Sequence, residues 1–141
     1  LYRYSRSGSS VPILPLVIDV TNPSPASGFG NKEHYSFTKR IAVDLVIALA
    51  LIHHMVIGKN VPLQMVASYF AELAPLLLIE FVPKEDDKVI HMLTTRADIF
   101  FDYTPENFEK QFQHHFNILK KSVIPGTSRI LYLMERKKIN D

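Results

Sequence analysis

The fold turns on how Asp44-Leu-Val-Ile-Ala-Leu-Ala-Leu-Ile-His-His-Met55 is read, an apolar run that opens on a carboxylate and closes on paired imidazoles. The run is too short to span a bilayer and too uniformly apolar for a surface strand. It therefore reads as a central parallel strand over Leu45 to Leu51. Periodicity alone does not separate that strand from a buried helix, because Leu, Ala and Ile repeat without a clean phase. The surroundings decide. Val61 to Leu73 carries Leu63, Val66, Phe70 and Leu73 at intervals of three or four, the pattern of an amphipathic helix. A second apolar run, Pro75-Leu-Leu-Leu-Ile-Glu-Phe-Val82, follows it, with a strand over Leu76 to Phe81. Strand, helix, strand is the spacing of a βαβ unit, in which ligands sit beyond the carboxyl ends of the strands. His53 and His54 after the first run, and Glu80 at the end of the second, are thus the first candidates for chemistry.

Upstream, Leu1 to Ser10 reads as a helix end running into a loop. Leu16 to Val20 is a short strand whose prolines lie before it, where a strand tolerates them. Thr21 to Asn31 holds two prolines and two glycines and reads as a loop, and Lys32 to Arg40 as a short helix or turn. Downstream of the central run, a helical stretch begins near His53 and breaks at Gly58-Lys59-Asn60. Pro83 to Asp87 is a charged turn and Lys88 to Thr94 a helix. Thr104-Pro105 pairs an N-cap with proline at the first helical position, starting a helix through His115 with Phe108, Phe112 and Phe116 on one stripe. Phe116 to Ile124 and Ser128 to Met134 flank Pro125-Gly126 as an antiparallel hairpin. The reading is one α/β domain over residues 1–141, with a mostly parallel sheet, a C-terminal antiparallel hairpin and helices on both faces.

Composition narrows the functional classes. The 141 residues are 47% hydrophobic and 21% charged, which fits a globular core and excludes a disordered tail or a coiled coil. Sixteen basic residues against fourteen acidic ones give +2, too balanced for a surface built to neutralise phosphates, so no nucleic acid is indicated. Cysteine is absent, which removes disulfides and thiolate metal sites. No segment has the length of a transmembrane helix, and Leu-Tyr-Arg-Tyr-Ser-Arg lacks the apolar core of a signal peptide. The expectation is a cytoplasmic protein with no membrane partner.

The polar residues at the strand ends each carry two readings. Asp19 either accepts hydrogen bonds from a ligand or caps the turn that follows it. His53 and His54 offer a general base or metal ligands, but adjacent residues point apart and neither HxxxH nor HExxH is present, so no metal site is assigned. Glu80 sits in an apolar strand and either faces a crevice or pairs with Arg96 or Arg129. His114 and His115 read as helix surface. Thr94 to Tyr103 gathers Arg96, Asp98, Asp102 and three aromatics, either as a lid or substrate wall or with Arg96 and Asp98 as a surface ion pair.

These motifs together resemble the C-terminal part of a class I S-adenosylmethionine-dependent methyltransferase of the nodulation-protein-like group. The resemblance rests on Leu14-Pro-Leu-Val-Ile-Asp-Val-Thr-Asn-Pro-Ser-Pro25, Asp44 to His54, Ile79-Glu-Phe-Val-Pro-Lys84, Arg96-Ala-Asp-Ile-Phe100 and Arg129-Ile-Leu-Tyr-Leu-Met134, and covers nearly the whole chain. It implies a partial Rossmann-like sheet whose full strand order is 3-2-1-4-5-7-6. Leu16 to Val20 would be the third strand, the runs at Leu45 and Leu76 the fourth and fifth, and the hairpin the sixth and seventh. It also implies that Asp19 and Val20 hold adenine. Ala48, Leu49 and Ala50 would line the methionine end of the S-adenosyl-L-methionine cofactor. His53, His54 and Glu80 would face a small-molecule methyl acceptor as catalytic residues.

The glycine-rich first motif and the acidic end of the second strand have no counterpart here, and Gly28-Phe-Gly30 lies in the wrong place. Half of the cofactor site is thus missing from these residues. The expectation is a chain that is the C-terminal portion of a larger domain, associating with an N-terminal half or forming a homodimer through unpaired strands. Two functions compete: methyl transfer by the parent enzyme, with cofactor binding divided between this chain and the rest, and a non-catalytic α/β interaction or assembly module.

Overall fold

The structure is a computed structural model, and it describes residues 13–138. The helix end expected over Leu1 to Ser10 lies outside the described residues. The described residues divide into two compact units, with the boundary between Phe37 and Thr38. In the first, Ser27 and His34 form an isolated antiparallel bridge around a 3-10 turn at Phe29–Asn31. The strand expected over Leu16 to Val20 is not formed. A strand requires a ladder partner for its N–H and C=O groups, and this segment joins no sheet ladder among the described residues. It runs instead into a turn in which Asn22 N donates to the Asp19 carbonyl at 3.0 Å.

The second unit begins near the one-turn helix α1 (Phe37–Arg40) and holds a four-stranded sheet. Strand β1 (Leu45–Ala48) leads through a π-helical turn at His54–Gly58 and helix α2 (Leu63–Leu73) into β2 (Leu76–Phe81). Helices α3 (Asp87–Leu93) and α4 (Pro105–Phe112) precede the hairpin of β3 (Phe116–Val123) and β4 (Ile130–Arg136). The order across the sheet is β1-β2-β4-β3. β1 and β2 run parallel, with Ile47 opposite Leu78, while β4 is antiparallel to both β2 and β3. The sheet is therefore mixed and open with a single parallel pair, which corrects the expectation of a mostly parallel sheet. Nor is the first run central: β1 is the edge strand. It also stops at Ala48 rather than Leu51, because Ala50 takes φ +49° and turns the chain out of the sheet.

Strand alternation separates the two faces of the sheet. Leu77, Ile79, Phe81, Tyr132, Met134 and Phe116 are buried on one face. There Phe108 packs on Phe81 and on Tyr132, with ring centroids 5.1 and 4.9 Å apart, so α4 covers this face. The Phe108, Phe112, Phe116 stripe is core, as its spacing indicates. Burial and hydrogen bonds agree here: Tyr103 Oη donates to the Val82 carbonyl at 2.8 Å, and Tyr132 Oη to Glu109 Oε1 at 2.8 Å. On the other face, Leu45 and Ile47 of β1 are 40% and 58% exposed. Helices on both faces, as expected from the sequence, are thus not found along β1. No helix among the described residues is long and apolar enough to cross a membrane.

Candidate active site at the carboxyl ends of the parallel pair

The βαβ connection places the segment after β1 beside the end of β2, and a side chain closes the gap. Glu80 is buried, and each of its oxygens is used: Oε2 accepts from Ala50 N at 2.7 Å and Oε1 from Arg129 Nη1 at 3.1 Å. The guanidinium also donates from Nε to Asp86 Oδ2 at 2.7 Å and from Nη2 to Asp86 Oδ1 at 3.2 Å. Asp86 in turn caps α3, accepting from Lys88 N at 3.0 Å. One arginine, immediately before β4, thus ties together the loops that follow β1 and β2. The Arg129 guanidinium holds the Asp86 carboxyl below its ordinary range, and the two carboxylates in turn raise the arginine.

His53 lies beside this cluster. It is 1% exposed, and its ring centroid is 4.2 Å from that of His54, which is exposed. Burial pushes the His53 imidazole down to about 4, helped by the His54 ring and the Arg129 guanidinium and opposed by Asp86 and Glu80. At neutral pH the ring is therefore uncharged. Its Nδ1 is the buried side-chain nitrogen or oxygen that lacks a hydrogen-bond partner among the described residues. An unsatisfied buried polar atom costs about 1–3 kcal/mol and calls for an explanation, of which a ligand-facing role is one. Counted by formal charge, Glu80 and Asp86 against Arg129 leave the cluster itself with one net negative charge.

The remaining sequence candidates fall as follows. Ala48 is 2% exposed, so its side chain belongs to the core, whereas Leu49 is 55% exposed and Ala50 is open to solvent. Asp19 and Val20 lie in the first unit. There the Asp19 carboxylate accepts from Thr21 N at 2.9 Å and Thr21 Oγ1 at 2.7 Å, the turn-capping arrangement. Arg129 is the partner of Glu80, one of the two that the sequence suggested. Arg96 is not: it donates to the Ile57 carbonyl and to Asn60 Oδ1, closing the end of the π-helical turn, and lies over the Phe100 ring. Nor does it pair with Asp98, which takes Lys84 at 2.8 Å instead. In the sequence Asp86 reads as one charge in a turn, although an aspartate just before a helical pattern is a capping signal. The positive φ of Ala50 has no signature in the sequence.

His114 and His115 lie beyond the end of α4, in the turn before β3, because the helix stops at Phe112. They border a cavity of about 1050 Å³ at the amino end of β2, together with Glu72, Asn117 and Arg136. Two of its basic residues serve helix ends: Arg136 Nη1 donates to the Ala71 carbonyl of α2 at 2.8 Å, and Lys137 Nζ to the Gln113 carbonyl after α4 at 2.5 Å. No group of three or more metal-ligating side chains occurs among the described residues.

The chain is 45% identical over 125 residues to the nodulation protein NoeA of Rhizobium meliloti (strain 1021). The match takes in 89% of this chain and 26% of that protein, so the chain spans about a quarter of the length of the curated relative it matches. No protein-family model matches, and no solved structure matches.

Proposed function

We propose that this chain carries the acceptor side of an S-adenosylmethionine-dependent methyltransferase, with its site at the carboxyl ends of β1 and β2. The observation that carries the reading is the strand order: β4 lies antiparallel between β2 and β3. That is the 4-5-7-6 portion of the order implied by the sequence resemblance. The chemistry of the strand ends fits the donor's methionine end in two respects. Leu49 and the Ala50 backbone offer accessible, mostly apolar surface beyond β1. The single net negative charge of the Glu80, Asp86 and Arg129 cluster complements a cationic sulfonium, and favours it most where water is excluded.

When bound, the cofactor supplies an electrophilic methyl group, so the protein's task is alignment and handling of one proton. His53 presents a neutral imidazole that accepts a hydrogen bond from a hydroxyl or amine acceptor and receives its proton as the bond to carbon forms. Glu80 does not share this role, since both of its oxygens are engaged. It acts on the site by holding Ala50. Calorimetric titration of the folded chain with S-adenosylhomocysteine tests the reading. Saturable heat that falls when Leu49 is changed to Asp supports it, and a flat titration overturns it for this chain.

A second reading, a non-catalytic module that assembles with another polypeptide, is favoured by the exposed outer face of β1. Its partner would be a second copy or a further part of a longer polypeptide. Static light scattering over a concentration series separates the readings: a mass that rises toward the dimer favours assembly, and a constant monomer mass removes the homodimer.

A further inference from the structure

We propose that Arg129 is the positioning residue of this site, acting through Glu80 to set the turn from β1 into the helical residues 52 and 53 that lead into the π-helical turn and include His53. The proposal rests on the methyl-transfer reading only for what His53 serves.

Three elements meet on this one guanidinium. Arg129 precedes β4, Asp86 starts α3 beyond β2, and Glu80 ends β2 while gripping the Ala50 N–H beyond β1. Ala50 is held at φ +49°, a left-handed conformation that is unfavourable for a non-glycine residue and persists only where the surroundings impose it. The imposing contact is a charge-assisted hydrogen bond from Ala50 N to Glu80 Oε2 at 2.7 Å. Glu80 is in turn fixed by Arg129, whose planar fork is filled on its other edge by Asp86. Leu51 follows Ala50, and its carbonyl accepts from His54 N at 3.0 Å and Met55 N at 3.3 Å, so the helical start that orients His53 is built on the turned residue. Lysine keeps the charge of arginine but cannot bridge two carboxylates with a rigid fork.

The test compares Arg129→Lys with the parent chain by NMR, without any ligand. Amide exchange at Ala50 is expected to speed up about tenfold or more while the Ile79 and Tyr132 amides keep their protection. The His53 ring is expected to titrate about one unit higher, toward its ordinary value, as a loosened turn lets water reach it. A brace that only stabilises the fold would leave that titration where it was, since the charge at residue 129 is unchanged. If Arg129→Lys does not fold, Asp86→Asn, which frees one edge of the guanidinium, must show the faster Ala50 exchange; the His53 titration is read only in Arg129→Lys, because the Asp86 charge itself raises that ring. Unchanged Ala50 exchange in either folded variant, or an unmoved His53 titration in folded Arg129→Lys, overturns the proposal. Because neither readout involves the cofactor, a flat calorimetric titration leaves this test standing, and its failure leaves the methyl-transfer reading standing.

Discussion

His53 gives the single residue a measurable weight. Its imidazole is depressed from the ordinary 6.5 to about 4 by burial first and by the neighbouring His54 ring and Arg129 guanidinium second. A group whose folded pKa lies below its unfolded value contributes stability that is complete above the unfolded pKa and is lost as pH falls through the folded one. The window here runs from about pH 6.5 down to about pH 4. The full depression corresponds to at most about 3 kcal/mol. Urea midpoints of the parent chain and of His53→Asn should therefore stay a fixed distance apart above pH 7. Between pH 6.5 and 4.5 the parent should lose ground to the variant by about 2 kcal/mol, other acid-sensitive groups cancelling in the comparison. Parallel pH profiles would show that the ring charges in the folded state without penalty.

At the scale of elements, helix α4 separates a local contribution from a packing one. Thr104 accepts from Asn107 N at 3.2 Å and Pro105 stands at the first helical position, so the helix start is specified by adjacent residues. Phe108 is fully buried against Phe81, Phe112 and Tyr132. Thr104→Ala is expected to cost about 1 kcal/mol and Phe108→Ala about 3–5 kcal/mol, measured by urea unfolding. Equal losses would mean that α4 is not packed as described.

The same contrast explains what was legible in the sequence. β2, the Thr104 helix start, the helix after Val61 and the hairpin around Pro125-Gly126 were readable because capping, spacing and turn residues are local. The edge position of β1, its early stop at Ala48 and the missing strand at Leu16 to Val20 were not, since each depends on whether a distant segment supplies a partner. For the site, His53 and Glu80 could be placed at strand ends from spacing alone. The joining of Asp86, Arg129 and Ala50 depends on contacts 43, 49 and 30 residues apart, which no local pattern records.

For the molecule as a whole, the outer face of the sheet is the feature with consequences. By register, Ile47 of β1 lies opposite Leu78 of β2, and Leu78 opposite Leu133 of β4. A row of aliphatic side chains therefore crosses three strands and is most exposed at its β1 end, where Ile47 is 58% accessible. Beyond it runs an edge strand, Leu45-Val-Ile-Ala48, with no charge, proline or bulge to discourage pairing with another chain. Net charge opposes association only weakly, at +2. The chain is accordingly expected to self-associate as its concentration rises, and Ile47→Lys, which places a charge on that edge, to return it to a monomer in sedimentation velocity. Since Ile47 is already more than half exposed, the same substitution should change the unfolding free energy by no more than about 0.5 kcal/mol. A variant that loses association and stability together would show that Ile47 holds the fold rather than an interface. A parent chain that stays monomeric at the highest concentration would mean that the aliphatic row is too small to drive pairing of two copies, leaving a different polypeptide as the partner of that face.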